Sequence, residues 1–83
     1  MIDLIETPIV GVYEALSEAR RDSRGQFARL FCMDELRTAH ADRPIKQINH
    51  SRTCDVGAIR GLHFQCTPHA EAKWVRCLLG RVF

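Results

Sequence analysis

The sequence predicts an all-β fold, a β-sandwich or barrel carrying one short helix, and three observations lead there. Five or six short segments alternate apolar and polar residues with the period of two that a half-buried strand requires. Glycine, proline and aspartate clusters separate these segments at turn-like intervals. Helix signals are confined to one short stretch after Asp34 and an ambiguous one after Tyr13.

Taken in order, Ile2 to Val12 alternates loosely and is interrupted by Pro8 and Gly11. It reads as an edge strand, because proline removes a donor that a central ladder needs. Tyr13 to Arg21 is a conflict: its propensities favour helix, with Leu16 and Arg20 one turn apart. The charged run Arg20 to Gly25 reads as a loop. Gln26 to Phe31 alternates as a strand does, Phe27 and Arg29 against Ala28 and Leu30. Asp34 is placed to cap a helix from Glu35 to His40, which Asp42 and Pro44 end. Ile45 to Ser51 is a strand with Gln47 and Asn49 on one face and Ile48 on the other. Thr53 to Gly57 is a turn, and Arg60 to Gln65 is a strand. A second turn at Cys66-Thr67-Pro68-His69 leads into a last strand, Lys73 to Phe83.

Size and charge bound the rest. A chain of 83 residues is at most one domain, and at this size only about 60% of the unfolded surface is buried on folding. A formal charge of +2 argues for neither nucleic acid nor a membrane surface as partner. No apolar run nears the ~20 residues that span a bilayer. The N-terminus has Asp3 and Glu6 where an export signal needs basic residues, so a cytoplasmic location is expected. The four cysteines form no CxxC pair, and reduced thiols fit that compartment. The sequence stops at Gly80-Arg81-Val82-Phe83, inside an apolar strand pattern. An open strand there asks for a neighbour, and the expectation is the front part of a longer protein.

Chemistry concentrates between Gly57 and Lys73. His63 can act as a general base if a partner orients it, and the plain alternative is a hydrogen-bonded structural histidine. Lys73 can steady a developing oxyanion or simply be a solvated lysine at a strand start. Arg24, Arg60 and Arg76 can each hold phosphate through paired guanidinium donors, or sit as surface charges. His63, Cys66 and His69 lack the further ligands that would complete a zinc site, so no metal is expected.

These residues come in a recognisable order. Arg24-Gly25 precedes Phe27 and Phe31, and Gln47-Ile48-Asn49-His50-Ser51-Arg52 follows. Next comes the block Arg60-Gly61-Leu62-His63-Phe64-Gln65, and then Pro68-His69-Ala70-Glu71-Ala72-Lys73. The chain thereby resembles the dTDP-4-dehydrorhamnose 3,5-epimerases from about Ile5 to its last residue. The resemblance implies the N-terminal portion of a cupin-like jelly roll, with residues 1–83 as a single incomplete domain. It implies a homodimer, no cofactor, and a dTDP-4-keto-6-deoxy sugar as substrate. It makes His63 the base that removes protons beside the 4-keto group, and places Lys73 near the keto oxygen. Arg24, Gln47, Asn49 and Arg60 match positions that contact the nucleotide sugar.

Strict alternation puts Arg60 and His63 on opposite faces, and a bulge at Gly61 would let both reach one substrate. The resemblance also makes a strand and then a loop of Tyr13 to Arg21. Three departures stand out. Arg29 replaces a glutamate that contacts the nucleotide, and Arg20-Arg21 stand where an aromatic residue often precedes Asp-x-Arg-Gly. The family's acid tyrosine and its histidine-orienting aspartate fall beyond Phe83, and Tyr13 is in the wrong segment to replace the former. Besides an epimerase, two other readings remain: a non-catalytic remnant, and a nucleotide-sugar-binding protein without turnover.

Overall fold

The computed structural model describes residues 1–83. Its regular structure is β1 (Ile2–Glu6), β2 (Tyr13–Ser17), β3 (Arg20–Asp22), β4 (Gly25–Phe27) and the short helix α1 (Arg37–His40). Strands dominate, as expected, but no barrel closes. The strands form two separate two-stranded sheets, β1–β2 and β3–β4, both antiparallel. The chain divides into two compact units, Met1–Ile48 and Asn49–Phe83. No helix is long and apolar enough to cross a membrane.

In the first unit, β1 and β2 pair from Ile2↔Ser17 to Glu6↔Tyr13. The register gathers Ile2, Leu4, Tyr13, Ala15 and Ser17 on one buried or half-buried face. Tyr13 to Ser17 is therefore strand and not helix, because pairing with β1 and covering one face outweigh a weak helix propensity. The strand expected over Ile2 to Val12 ends at Glu6, where the chain turns. There the Thr7 hydroxyl donates to the Val12 carbonyl at 2.9 Å, and the Ile9 N–H donates back to that hydroxyl at 3.2 Å. Gly11 takes the positive φ of 83° that the turn needs.

The segment read as a charged loop is instead the tight hairpin β3–β4, with Ser23-Arg24 as its two-residue connection. Asp22 makes the turn: one carboxylate oxygen accepts the Arg24 N–H at 2.8 Å and the other accepts its guanidinium at 2.7 Å. The strand expected over Gln26 to Phe31 stops at Phe27, because the chain must bend into the turns before α1. The helix is also shorter than expected. Asp34 does not cap it, since its carboxylate accepts the Arg37 guanidinium at 3.0 Å, and Leu36 is the N-cap. Ala41, with φ and ψ both 50°, closes the helix in the left-handed conformation.

The core is small: only Ile2, Leu36 and His40 are fully buried. Ile2 and the α1 region are joined through Glu35, whose carboxylate accepts the Ile2 N–H at 2.6 Å and pairs with Arg29. The Ile2 N–H and then the Arg29 guanidinium hold the Glu35 carboxyl below its ordinary pKa. A carboxylate depressed in the folded state stabilises it above the unfolded pKa and loses that contribution as pH falls through the folded one. Acidification through that lowered pKa, below the ordinary glutamate range, is thus expected to release Ile2. Hydrogen exchange at the Ile2 amide should accelerate there, and Glu35→Gln should show the fast rate at neutral pH. An Ile2 amide with the same protection in both proteins would exclude the clamp.

In the second unit both expected turns are present. The Ala58 N–H donates to the Asp55 carbonyl at 3.4 Å, and the His69 N–H to the Cys66 carbonyl at 2.8 Å. The strands expected over Ile45–Ser51, Arg60–Gln65 and Lys73–Phe83 are absent. Extended backbone becomes a strand only against a partner ladder, and none lies beside these segments. Their apolar side chains stay uncovered, Leu62 98% and Leu79 96% exposed, so the burial that would favour pairing is not collected.

Candidate functional site

The second unit holds the residues with the strongest chemical claim. His63 and Lys73 lie on the two arms that lead into and out of the Cys66–His69 turn. That turn brings the arms together without a ladder: the Lys73 ammonium donates to the His63 backbone carbonyl at 2.9 Å. Glu71 lies 3.5 Å from the same ammonium. The contact aligns the two residues expected to share a substrate, but it reaches the peptide of His63 and not its imidazole. Both side chains are exposed. Arg60 is tied separately, its Nε donating to the Thr53 hydroxyl at 3.1 Å. Asn49 is exposed, outside any strand or helix, at the start of this unit.

In the first unit, Gln47 is exposed and outside any strand or helix, and Arg24 sits at the tip of the β3–β4 hairpin. Its ion pair with Asp22 holds that carboxyl below its ordinary pKa, chiefly through the guanidinium hydrogen bond. The hairpin carries an open concavity of about 360 Å³ lined by Arg20, Arg21, Arg24 and Phe27 among others. Arg29, which replaces a nucleotide-contacting glutamate in the resemblance, is occupied by Glu35.

His63, Cys66 and His69 do not converge, and no group of three or more His, Cys, Asp or Glu side chains gathers anywhere in the chain. All four cysteines are free thiols. Sequence reasoning passed over two groups. In the sequence Glu35 marks only the start of a helix, because its partner Ile2 is 33 residues away. His40 is buried, with Nε2 2.5 Å from the Met33 carbonyl and Nδ1 without a partner. The carbonyl can only accept, so Nε2 is the donor in this contact. Nothing local in the sequence marks that burial.

Comparison with known proteins bears on what this arrangement is for. The family model described as dTDP-4-dehydrorhamnose 3,5-epimerase matches residues 6–83. The chain is similar to a dTDP-4-dehydrorhamnose 3,5-epimerase of Sinorhizobium fredii, 42% identical over 62 residues, covering 75% of this chain and 32% of that protein. It is similar to a dTDP-4-dehydrorhamnose 3-epimerase of Streptomyces niveus, 37% identical over 90% of this chain and 36% of that one. A dTDP-4-dehydrorhamnose 3,5-epimerase of Shigella flexneri is 36% identical over 99% of this chain and 45% of its own length. The chain thus spans between about a third and under half of the length of these curated relatives. No solved structure matches it.

Proposed function

The chain belongs to the dTDP-4-dehydrorhamnose 3,5-epimerase family, and from that premise we propose that it carries the proton-abstracting part of a nucleotide-sugar epimerase. The observation that carries the reading is the 2.9 Å contact of the Lys73 ammonium with the His63 backbone carbonyl, which sets the two residues side by side inside the region that the family model matches. A C–H beside a ketone is acidic only because the resulting enolate places its charge on the keto oxygen. A base at the carbon and a cation near the oxygen are therefore the minimum apparatus. His63 takes the proton, and Lys73, once it leaves the His63 carbonyl, meets the oxyanion. Arg24, Gln47, Asn49 and Arg60 contact the nucleotide sugar. The substrate is a dTDP-4-keto-6-deoxy sugar, and no metal is needed because the lysine supplies the positive charge.

The 83 residues act as one incomplete cupin-type domain. The family's acid tyrosine and its histidine-orienting aspartate have no counterpart among them. Exposure adds to the handicap, because a cation in water steadies an oxyanion far less than one in a closed site. Catalysis by the chain alone is accordingly slow and stops at exchange. Homodimer formation and a cytoplasmic location complete the reading.

The test is deuterium uptake from D₂O into a dTDP-4-keto-6-deoxyhexose, followed by proton NMR at the carbons flanking the ketone. Uptake above the protein-free rate, without net inversion, is the expected result. Binding of the sugar nucleotide with no uptake would instead favour a binding protein without turnover. Lys73, held on a backbone carbonyl, is the observation that suits that second reading.

A further inference from the structure

The turn from Asp55 to Ala58 does more than reverse the chain. Gly57 takes the positive φ of 80° that the reversal needs, and the Ala58 N–H closes it on the Asp55 carbonyl. Thr53 and Arg60, seven residues apart, thereby meet: the Arg60 Nε–H is donated to the Thr53 hydroxyl at 3.1 Å. Arg60 is one of the four residues proposed above to contact the nucleotide sugar, and nothing in the resemblance assigns a part to Thr53. Its guanidinium is placed differently from that of Arg24, where a terminal nitrogen is held by the Asp22 carboxylate at 2.7 Å. Thr53 is neutral, so Arg60 keeps its whole charge for a ligand.

We infer that Thr53 is a positioning residue for substrate binding: its hydroxyl fixes the Arg60 fork and decides which edge of it meets a phosphoryl group. A guanidinium offers five N–H donors, one on Nε and four on the two terminal nitrogens. Two kinds of edge can take a phosphoryl group bidentately, the side made by Nε with one terminal nitrogen and the end made by both terminal nitrogens. The Thr53 hydroxyl occupies the first. The end-on pair remains open for the ligand. An unrestrained arginine loses much rotamer freedom when it binds, and one already held at Nε loses less. Threonine suits the task, because its branched Cβ restricts χ1 and with it the place of the hydroxyl. The inference rests on the function proposed above for its ligand, and adds to it a residue that acts through the arginine without touching substrate.

The experiment uses the whole 83-residue chain, with thymidine diphosphate as the probe ligand. Calorimetry gives its affinity, and proton–nitrogen NMR follows solvent exchange of the Arg60 Nε–H. Thr53→Val keeps the shape of the side chain and removes the hydroxyl, at an exposed position where no buried cavity opens. It is expected to speed exchange of the Nε–H by about threefold and to weaken thymidine diphosphate by about fivefold, the range of one net hydrogen bond. Thr53→Ser should stay within about twofold of the unaltered chain in both, because the acceptor is kept. In an Arg60→Ala chain, itself weakened by about tenfold, adding Thr53→Val should cost nothing more. An Nε–H indifferent to Thr53→Val, or an affinity that falls equally with and without Arg60, would overturn the inference and leave the proposed function standing. Unchanged affinity in Arg60→Ala would remove Arg60 from the nucleotide contacts proposed above, and the part given to Thr53 would go with it. The expected Thr53 effects in a chain that exchanges no sugar proton would uphold the inference and sink the proposed turnover alone.

Discussion

Replacing His63 by alanine is expected to return deuterium uptake from the dTDP-4-keto-6-deoxyhexose to the rate seen without protein. Positioned general-base catalysis contributes on the order of 10²–10⁴-fold, so if His63 holds the proposed role its removal should leave nothing measurable. The four histidines make the experiment discriminating. His40 is buried against the Met33 carbonyl and cannot meet a substrate. His69 lies within the turn that joins the two arms, and His50 lies on exposed backbone in the same unit. His50→Ala and His69→Ala should therefore keep the uptake that His63→Ala loses. Because His63 is exposed, its replacement by alanine is not expected to open a buried cavity. Uptake that survives in His63→Ala would take this histidine out of the mechanism.

The sequence is a good guide to this chain wherever structure depends on near neighbours. The turns at Thr53–Gly57 and Cys66–His69 and the strand character of Ile2 to Glu6 are written in residues a few positions apart. Legibility fails where a partner decides. Tyr13 to Ser17 has helix-forming residues and becomes a strand because β1 lies beside it. Arg60–Gln65 and Lys73–Phe83 have the alternation of strands and remain unpaired, since alternation states which faces could be buried but not what buries them. Charge was misleading in the same way. Arg20 to Gly25 reads as a loop, although Asp22 and Gly25 are well suited to the ends of a tight hairpin.

For the site, residue identity was legible and engagement was not. The chemistry available to His63 and Lys73 follows from their side chains and the family order. That the lysine rests on the histidine's own carbonyl follows only from the path of the chain through the Pro68 turn. Glu35 shows the converse: a side chain with no mark in the sequence fastens the first strand, because its two partners, Ile2 and Arg29, meet only in the fold.

Mixing the chain with a separate polypeptide carrying the rest of a full-length relative is expected to raise proton exchange by about 10²–10⁴-fold and to complete inversion. The physical case begins with what the second unit leaves uncovered. Ile59, Leu62, Phe64, Val75, Leu79 and Phe83 are each at least 78% exposed, a burden of apolar surface unusual for a folded segment. Strands donated by the complement would pair with the extended backbone and cover those side chains, at roughly 25 cal/mol for each Å² removed from water. Closure would also dry the surroundings of His63 and Lys73, so that the lysine's charge acts on the oxyanion through a lower dielectric. The single tryptophan, Trp74, is adjacent to Lys73 and 40% exposed, so a blue shift of its emission reports the closure directly. A complement whose acid tyrosine is changed to phenylalanine should produce the same shift and faster exchange, but no inversion. Association with a shifted Trp74 spectrum and no gain in exchange would show that the chain closes into a container without becoming a catalyst, and the assignment of base and cation would fail with it.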